Sequence, residues 1–172
     1  MIKKITTAVL LSASLATSSF AFEQQGVKEG NNVIGFDLRY TDTSPDVGGS
    51  STTTTLFGSG SYFYTDNIEL GLGLSYNLSE STGSKSETTT LTPFVQYNFV
   101  DVSPTMVPYV GGGISLQSTS STGSSTSSTG FSFEGGLKMF MSEKTSIVPA
   151  LFFESYDAVT VTGLKVGVQI YF

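Results

Sequence analysis

The chain has 172 residues, room for one domain, and only 13% of them are Asp, Glu, Lys or Arg, against about 25% in a typical soluble domain. Gly, Ser and Thr take the place of the charge, so much of the surface is expected not to face water. With no Cys and no His, disulfides, thiolate chemistry, the commonest general base and the commonest metal ligand are all excluded. The net charge of −6 and the lack of a basic patch exclude a nucleic-acid partner.

Residues 1–21 read as a cleaved signal peptide. Lys3 and Lys4 form a positive start, Ile5 to Ala16 is apolar, and Ser19 and Ala21 put small residues at −3 and −1 of a cleavage site. The apolar stretch is too short to span a membrane, and no later run reaches the roughly 18 apolar residues of a spanning helix. Cleavage leaves a barrel domain, 22–172, with six bases against fourteen acids, so the formal charge passes from −6 to −8.

The polar residues 22–30 form a short lead-in on the periplasmic side. Apolar residues then recur at every second position, the signature of strands with two unlike faces. In the first strand Ile34, Phe36, Leu38 and Tyr40 alternate with Gly35, Asp37, Arg39 and Thr41. A second lies between Thr52 and Tyr64, where Leu56, Tyr62 and Tyr64 compete with Phe57 and Phe63; the even set is expected outward. Further strands run over Ile68–Leu78, Leu91–Phe99, Pro108–Gln117, Phe131–Met141 and Thr145–Tyr156. In the last, Leu164, Val166, Val168, Ile170 and Phe172 alternate with Gly163, Lys165, Gly167, Gln169 and Tyr171.

Eight strands result. Short turns at Thr65 to Asn67, Asp101 to Thr105 and Ser142 to Lys144 alternate with longer Ser/Thr/Gly connections at 42–52, 79–88 and 118–129 and a shorter one at Asp157-Ala158. The tips near Gly48 to Ser51, Thr82 to Ser86 and Ser120 to Ser125 are expected to be mobile, with the adjoining threonines (53–55, 88–90) carrying the sheet beyond the membrane. The fold expected is all-β: an eight-stranded antiparallel up-and-down transmembrane barrel.

Alternation alone does not say which face is inside. The polar face is too poor in charge for a water-exposed exterior, and its few charges have both signs. Tyr40, Tyr76, Tyr97, Phe99, Phe153 and Phe172 stand near strand ends on the apolar face, where an interfacial girdle would lie. The apolar face is therefore expected to meet lipid.

The segment Tyr62-Phe63-Tyr64-Thr65-Asp66-Asn67-Ile68-Glu69-Leu70-Gly71 and the ending Val166-Gly167-Val168-Gln169-Ile170-Tyr171-Phe172 resemble the small outer-membrane barrels of the OmpA/OmpX type. The resemblance covers the whole mature chain and is specific for architecture, weak for function. It implies a bacterial outer-membrane location, contact with lipid and lipopolysaccharide, and an assembly signal in Gln169, Ile170, Tyr171 and Phe172 for the barrel-assembly machinery. It also implies a stand-alone barrel without a peptidoglycan-binding domain. A monomer is expected, since a closed barrel has no edge to cover.

An eight-stranded barrel is just wide enough inside for side chains to fill. Asp37, Arg39, Glu69, Glu134, Lys138, Glu154 and Lys165 are the candidate lumen network, with Glu69 and Lys138 lowest. Glu134 and Glu154 read as partners of Lys165 and Arg39, not as catalytic carboxylates. Known enzymes of this architecture mostly use a catalytic His, which is absent here, so no catalytic residue, cofactor or metal is expected. Two functional readings stay open. One is a structural and surface-interaction protein that meets host or environmental surfaces through its Ser/Thr-rich loops. The other is a narrow porin-like channel, which the inward glycines (Gly71, Gly73, Gly111, Gly113, Gly163, Gly167) would leave room for.

Overall fold

The computed structural model describes residues 26–45, 51–81, 84–103, 105–121, 124–157 and 159–172. The expected leader, with Ser19 and Ala21, lies outside the described residues.

The strands are β1 (Asn32–Pro45), β2 (Ser51–Phe63), β3 (Ile68–Ser81), β4 (Ser84–Asn98), β5 (Met106–Ser121), β6 (Ser124–Ser142), β7 (Thr145–Tyr156) and β8 (Val159–Tyr171). Each runs antiparallel to its neighbours in the chain, and β8 pairs with β1, closing the sheet into a barrel. At the seam, the Asn32 N–H donates to Phe172 O at 2.9 Å and the Phe172 N–H returns a bond to Asn32 O at 3.0 Å. Closure leaves no free edge strand, the condition for strands to cross lipid, although the β2–β3 ladder stops at Phe57↔Ser75.

Register follows the two-residue pattern. Leu38 stands opposite Leu56 on one side and Val166 on the other, so apolar outward residues form continuous rows around the wall. In β2 the ambiguity is resolved for the even set: Leu56 is 66% exposed, whereas Phe57 beside it is 4% exposed. The girdle residues Tyr40, Tyr76, Tyr97, Phe99, Phe153 and Phe172 all lie on the exposed face.

One rim is made of short turns. Between β2 and β3 the Thr65 Oγ1 accepts from the N–H groups of Asn67 (3.3 Å) and Ile68 (3.0 Å), a local bond that closes the turn without a loop. The lead-in enters at this rim. Gly30 makes the bend into β1 with φ of 89°, which a residue with a Cβ adopts only at a cost, and its N–H donates to Phe63 O at 2.9 Å.

The opposite rim differs from expectation. The segments 79–88 and 118–129 are not loops. Pairing continues to Ser81↔Ser84 and Ser121↔Ser124, leaving two residues between the strands in each hairpin. The strands around Asp157-Ala158 likewise pair to Tyr156↔Val159. Thus β6 reaches 19 residues, well beyond the roughly 9–11 that a tilted strand needs to cross. Ser and Thr lack the bulk or charge that would end a ladder, Thr is β-prone, and facing hydroxyls meet across it, as Thr88 and Thr119 do at 3.2 Å. Of the tips expected to be mobile, Ser84 to Ser86, Ser120, Ser121, Ser124 and Ser125 are paired strand. Gly48 to Ser50, Thr82, Gly83, Thr122 and Gly123 lie outside the described residues.

Candidate functional site: the charged lumen

The inward faces of the strands fill the barrel in tiers. At the turn rim, Val33, Phe63, Val107, Phe140 and Tyr171 form an apolar cluster, and Val27 of the lead-in is packed into it, 5% exposed. The lead-in is held there by the side chain of Asn31, which donates to Gly26 O at 3.0 Å, and by the Glu29 N–H on Asp66 Oδ1 at 2.8 Å. A Cβ on Gly26 would press on the rings of Phe140 and Tyr171 at 2.7 Å, so only glycine lets the chain pass this close.

Next comes a wholly buried ion pair, Lys138 with Glu69, to which Ser61 also donates. Lys138 Nζ sits 5.1 Å from the centroid of the Phe63 ring and 5.2 Å from that of Tyr109, so the cation is held by two aromatic faces as well as the carboxylate. Beside it Tyr171 donates to Gln169 Oε1 at 2.8 Å and meets Ser146 Oγ at 3.0 Å.

Above this tier Lys165 is shared by Glu134 at 2.7 Å and Asp37 at 3.4 Å, and Gln96 Nε2 donates to Glu134. Higher still, Arg39 pairs with Glu154 at 2.8 Å. Its guanidinium lies 3.8 Å from the centroid of Phe57 and 5.1 Å from that of Phe152. Tyr156 donates to the other oxygen of Glu154 at 3.0 Å. The structure therefore brings all seven inward charges into ion pairs, in three groups.

Sequence reasoning missed the aromatic sandwich around Arg39. Its signal was present in the inward glycines, which leave no free passage. A Cβ on Gly73 would run into Phe57, one on Gly163 would strike the backbone oxygen of Tyr40 and meet Phe152 at 2.9 Å, and one on Gly71 would run into Phe94. A Cβ on Gly111 would meet Gln96 at 2.7 Å, and one on Gly167 would strike Asp37. The room left by these glycines is taken up by neighbouring rings, an amide and a carboxylate. Among the described residues the lumen holds a void of about 30 Å³ at mid-height and a vestibule of about 160 Å³ at the hairpin rim. Arg39, Phe152 and Glu154 border both.

The lumen holds polar groups at a cost. Arg39 Nε, Gln96 Oε1 and Asn98 Oδ1 are buried without a hydrogen-bond partner among the described residues.

Residues 7–172 match the family described as outer membrane protein beta-barrel domain. No curated protein matches the chain by sequence. Among solved structures, Neisserial surface protein A superposes with a TM-score of 0.65 at 18% identity, covering 83% of this chain and 99% of that one. The attachment invasion locus protein Ail of Yersinia pestis gives 0.62 at 13% identity, with 84% and 99% covered; it has also been solved with the heparin analogue sucrose octasulfate. The outer membrane enzyme PagL gives 0.50 at 15% identity, with 80% and 98% covered. These likenesses carry the fold, and the family match carries the cell location: the chain belongs to the outer membrane protein beta-barrel family and crosses the bacterial outer membrane as an eight-stranded barrel.

Proposed function

We propose that this protein is a non-conducting, non-enzymatic barrel that stiffens the envelope and holds paired Ser/Thr hairpins out from the cell surface to meet other surfaces. The observation that carries the reading is the filled lumen. A solute entering from the turn rim meets Val27, Phe63, Phe140 and Tyr171, then the Lys138–Glu69 pair, each packed against the next. A channel would need these tiers to separate together, breaking buried ion pairs at several kcal/mol each.

The absence of chemistry rests on the lumen bases. Lys138 and Lys165 are both salt-bridged to carboxylates, so neither amine is free to approach a serine hydroxyl as a Ser/Lys mechanism needs.

The hairpin side narrows the partner class. Its strand ends and connections carry Asp42, Asp46, Glu80, Glu87 and Asp157 against the single base Lys85. A sulfated glycan, such as the analogue bound by Ail, is a poor match for that charge, whereas a neutral hydroxylated surface suits it.

In biogenesis, the leader would be removed after Ala21 and the assembly machinery would read the ending. Ile170 and Phe172 face outward, 43% and 56% exposed, while Gln169 and Tyr171 are buried in the lumen. The ending thus offers an apolar pair to lipid or to a receptor.

Planar-bilayer recording of the refolded mature protein tests the closed lumen, with folding checked by the difference in gel mobility between boiled and unboiled samples. A silent bilayer is expected. Steady, reproducible steps from folded protein would overturn the reading in favour of the porin-like alternative. Shortening the β5–β6 hairpin by residues 118–129 should reduce adhesion of expressing cells while leaving the folded fraction unchanged.

A further inference from the structure

We propose that the vestibule at the hairpin rim is a binding cup for one neutral, polyhydroxylated six-membered ring, that is, a hexose-sized sugar. It rests on the closed lumen described above only in that a closed floor makes the vestibule a cup and not an entrance.

The size comes first. The vestibule is open on its outer side and holds about 160 Å³, close to the roughly 150 Å³ of a sealed protein cavity that accommodates benzene. That reference cavity is dry and apolar; this one is not. Its walls carry hydroxyls and amides from four neighbouring strands, β2 to β5, among them Thr55, Ser75, Asn77, Thr90 and Gln117. A ring of that size with an apolar edge alone would leave these groups unpaired, so the ring must itself be rich in hydroxyls.

Charge comes second. Among the described residues, the charged ones bordering the vestibule are Arg39 and Glu154, and they pair with each other at 2.8 Å. The floor is therefore neutral overall yet offers a guanidinium and a carboxylate, a strong donor and a strong acceptor for sugar hydroxyls. Two of the bonds made by wall residues are long: Asn77 Nδ2 to Thr55 Oγ1 at 3.4 Å, and Gln117 Oε1 from Ser128 Oγ, behind the wall, at 3.3 Å. Such bonds give way readily to better-placed partners.

Shape comes third. Phe152 and Tyr156 present rings to the same space, an apolar face for the C–H side of a pyranose beside polar groups for its edge. An anionic ligand would gain nothing from a floor where the guanidinium of Arg39 is already paired.

The test is saturation-transfer NMR on the full mature chain in nanodiscs, with methyl β-D-glucopyranoside, methyl β-D-galactopyranoside and N-acetylglucosamine as probes and sucrose octasulfate as the charged comparison. Transfer to at least one neutral sugar and none to the octasulfate is expected. Gln117→Ala and Asn77→Ala should each weaken binding roughly three- to tenfold. Ser75→Phe, which fills the cup, should abolish it; should that variant not fold, the two alanine variants still decide. Competition by dextran would assign the site to the chain end of a surface glycan, and its failure to a free sugar. No transfer to any neutral sugar from folded protein, or transfer undiminished in the variants, overturns the proposal. A silent bilayer without sugar binding removes this inference alone, and conductance with sugar binding removes only the closed lumen.

Discussion

Lys138 and Glu69 stand 69 residues apart in the chain and form an ion pair with at most 1% of either side chain exposed, stacked between the rings of Phe63 and Tyr109. A pair this deep is held by mutual need: each charge is tolerable only because the other is present. Replacing Lys138 with Met leaves Glu69 as an unpaired buried charge and is expected to destabilise the barrel by about 3–5 kcal/mol. The double variant K138M/E69Q should recover most of that loss. Urea titration in lipid vesicles, followed by gel mobility, reads both. A neutral Lys138→Met would mean that Glu69 finds another partner or is protonated.

Arg39 differs from Lys138 in being held as a plane. With its guanidinium 3.8 Å from the Phe57 centroid and bonded to Glu154 at 2.8 Å, its flatness matters as well as its charge. Arg39→Lys keeps the charge and loses the stacked fork, so a loss of about 1–2 kcal/mol is expected. Phe57→Leu in the Arg39→Lys background should then cost less than in the wild type, a coupling that a double-mutant cycle measures.

Gly73 is the space into which the Phe57 ring fits. Gly73→Val overpacks the lumen there, with an expected cost of about 1–3 kcal/mol. Adding Phe57→Ala should relieve the strain. If Gly73→Val folded with full stability by itself, the tier would have slack that could serve a conducting state, and the closed-lumen reading would weaken.

Leu72 is 50% exposed on the outer wall, and Ser75 borders the vestibule. Leu72→Arg should cost about 2–4 kcal/mol near the membrane midplane. Ser75→Arg, which has the vestibule to expand into, should cost clearly less. Equal costs in one folding titration would contradict the assignment of inner and outer faces.

The period of two was readable residue by residue because a strand sends successive side chains to opposite faces, a local rule needing no knowledge of the partner strand. That is why the facing of Phe36 and Asp37, or of Ile170 and Tyr171, could be read along the chain. The length of the hairpins could not. Ser and Thr runs fit a loop by composition and a ladder by β-propensity, and only pairing at Ser81↔Ser84 and Ser121↔Ser124 separates the two.

The amino-acid sequence by itself determined that this protein is a barrel of eight strands with an apolar outside and a mixed-charge inside, because alternation, low charge and turn residues all act within a few positions of one another. The tertiary structure alone decided that Lys165 lies between Glu134 and Asp37, that Phe57 occupies the space at Gly73, and that Val27 enters the turn rim. These depend on the register between strands distant in sequence and on the volumes that meet in a closed tube, where a slip of one residue between any two strands would change every neighbour across the lumen.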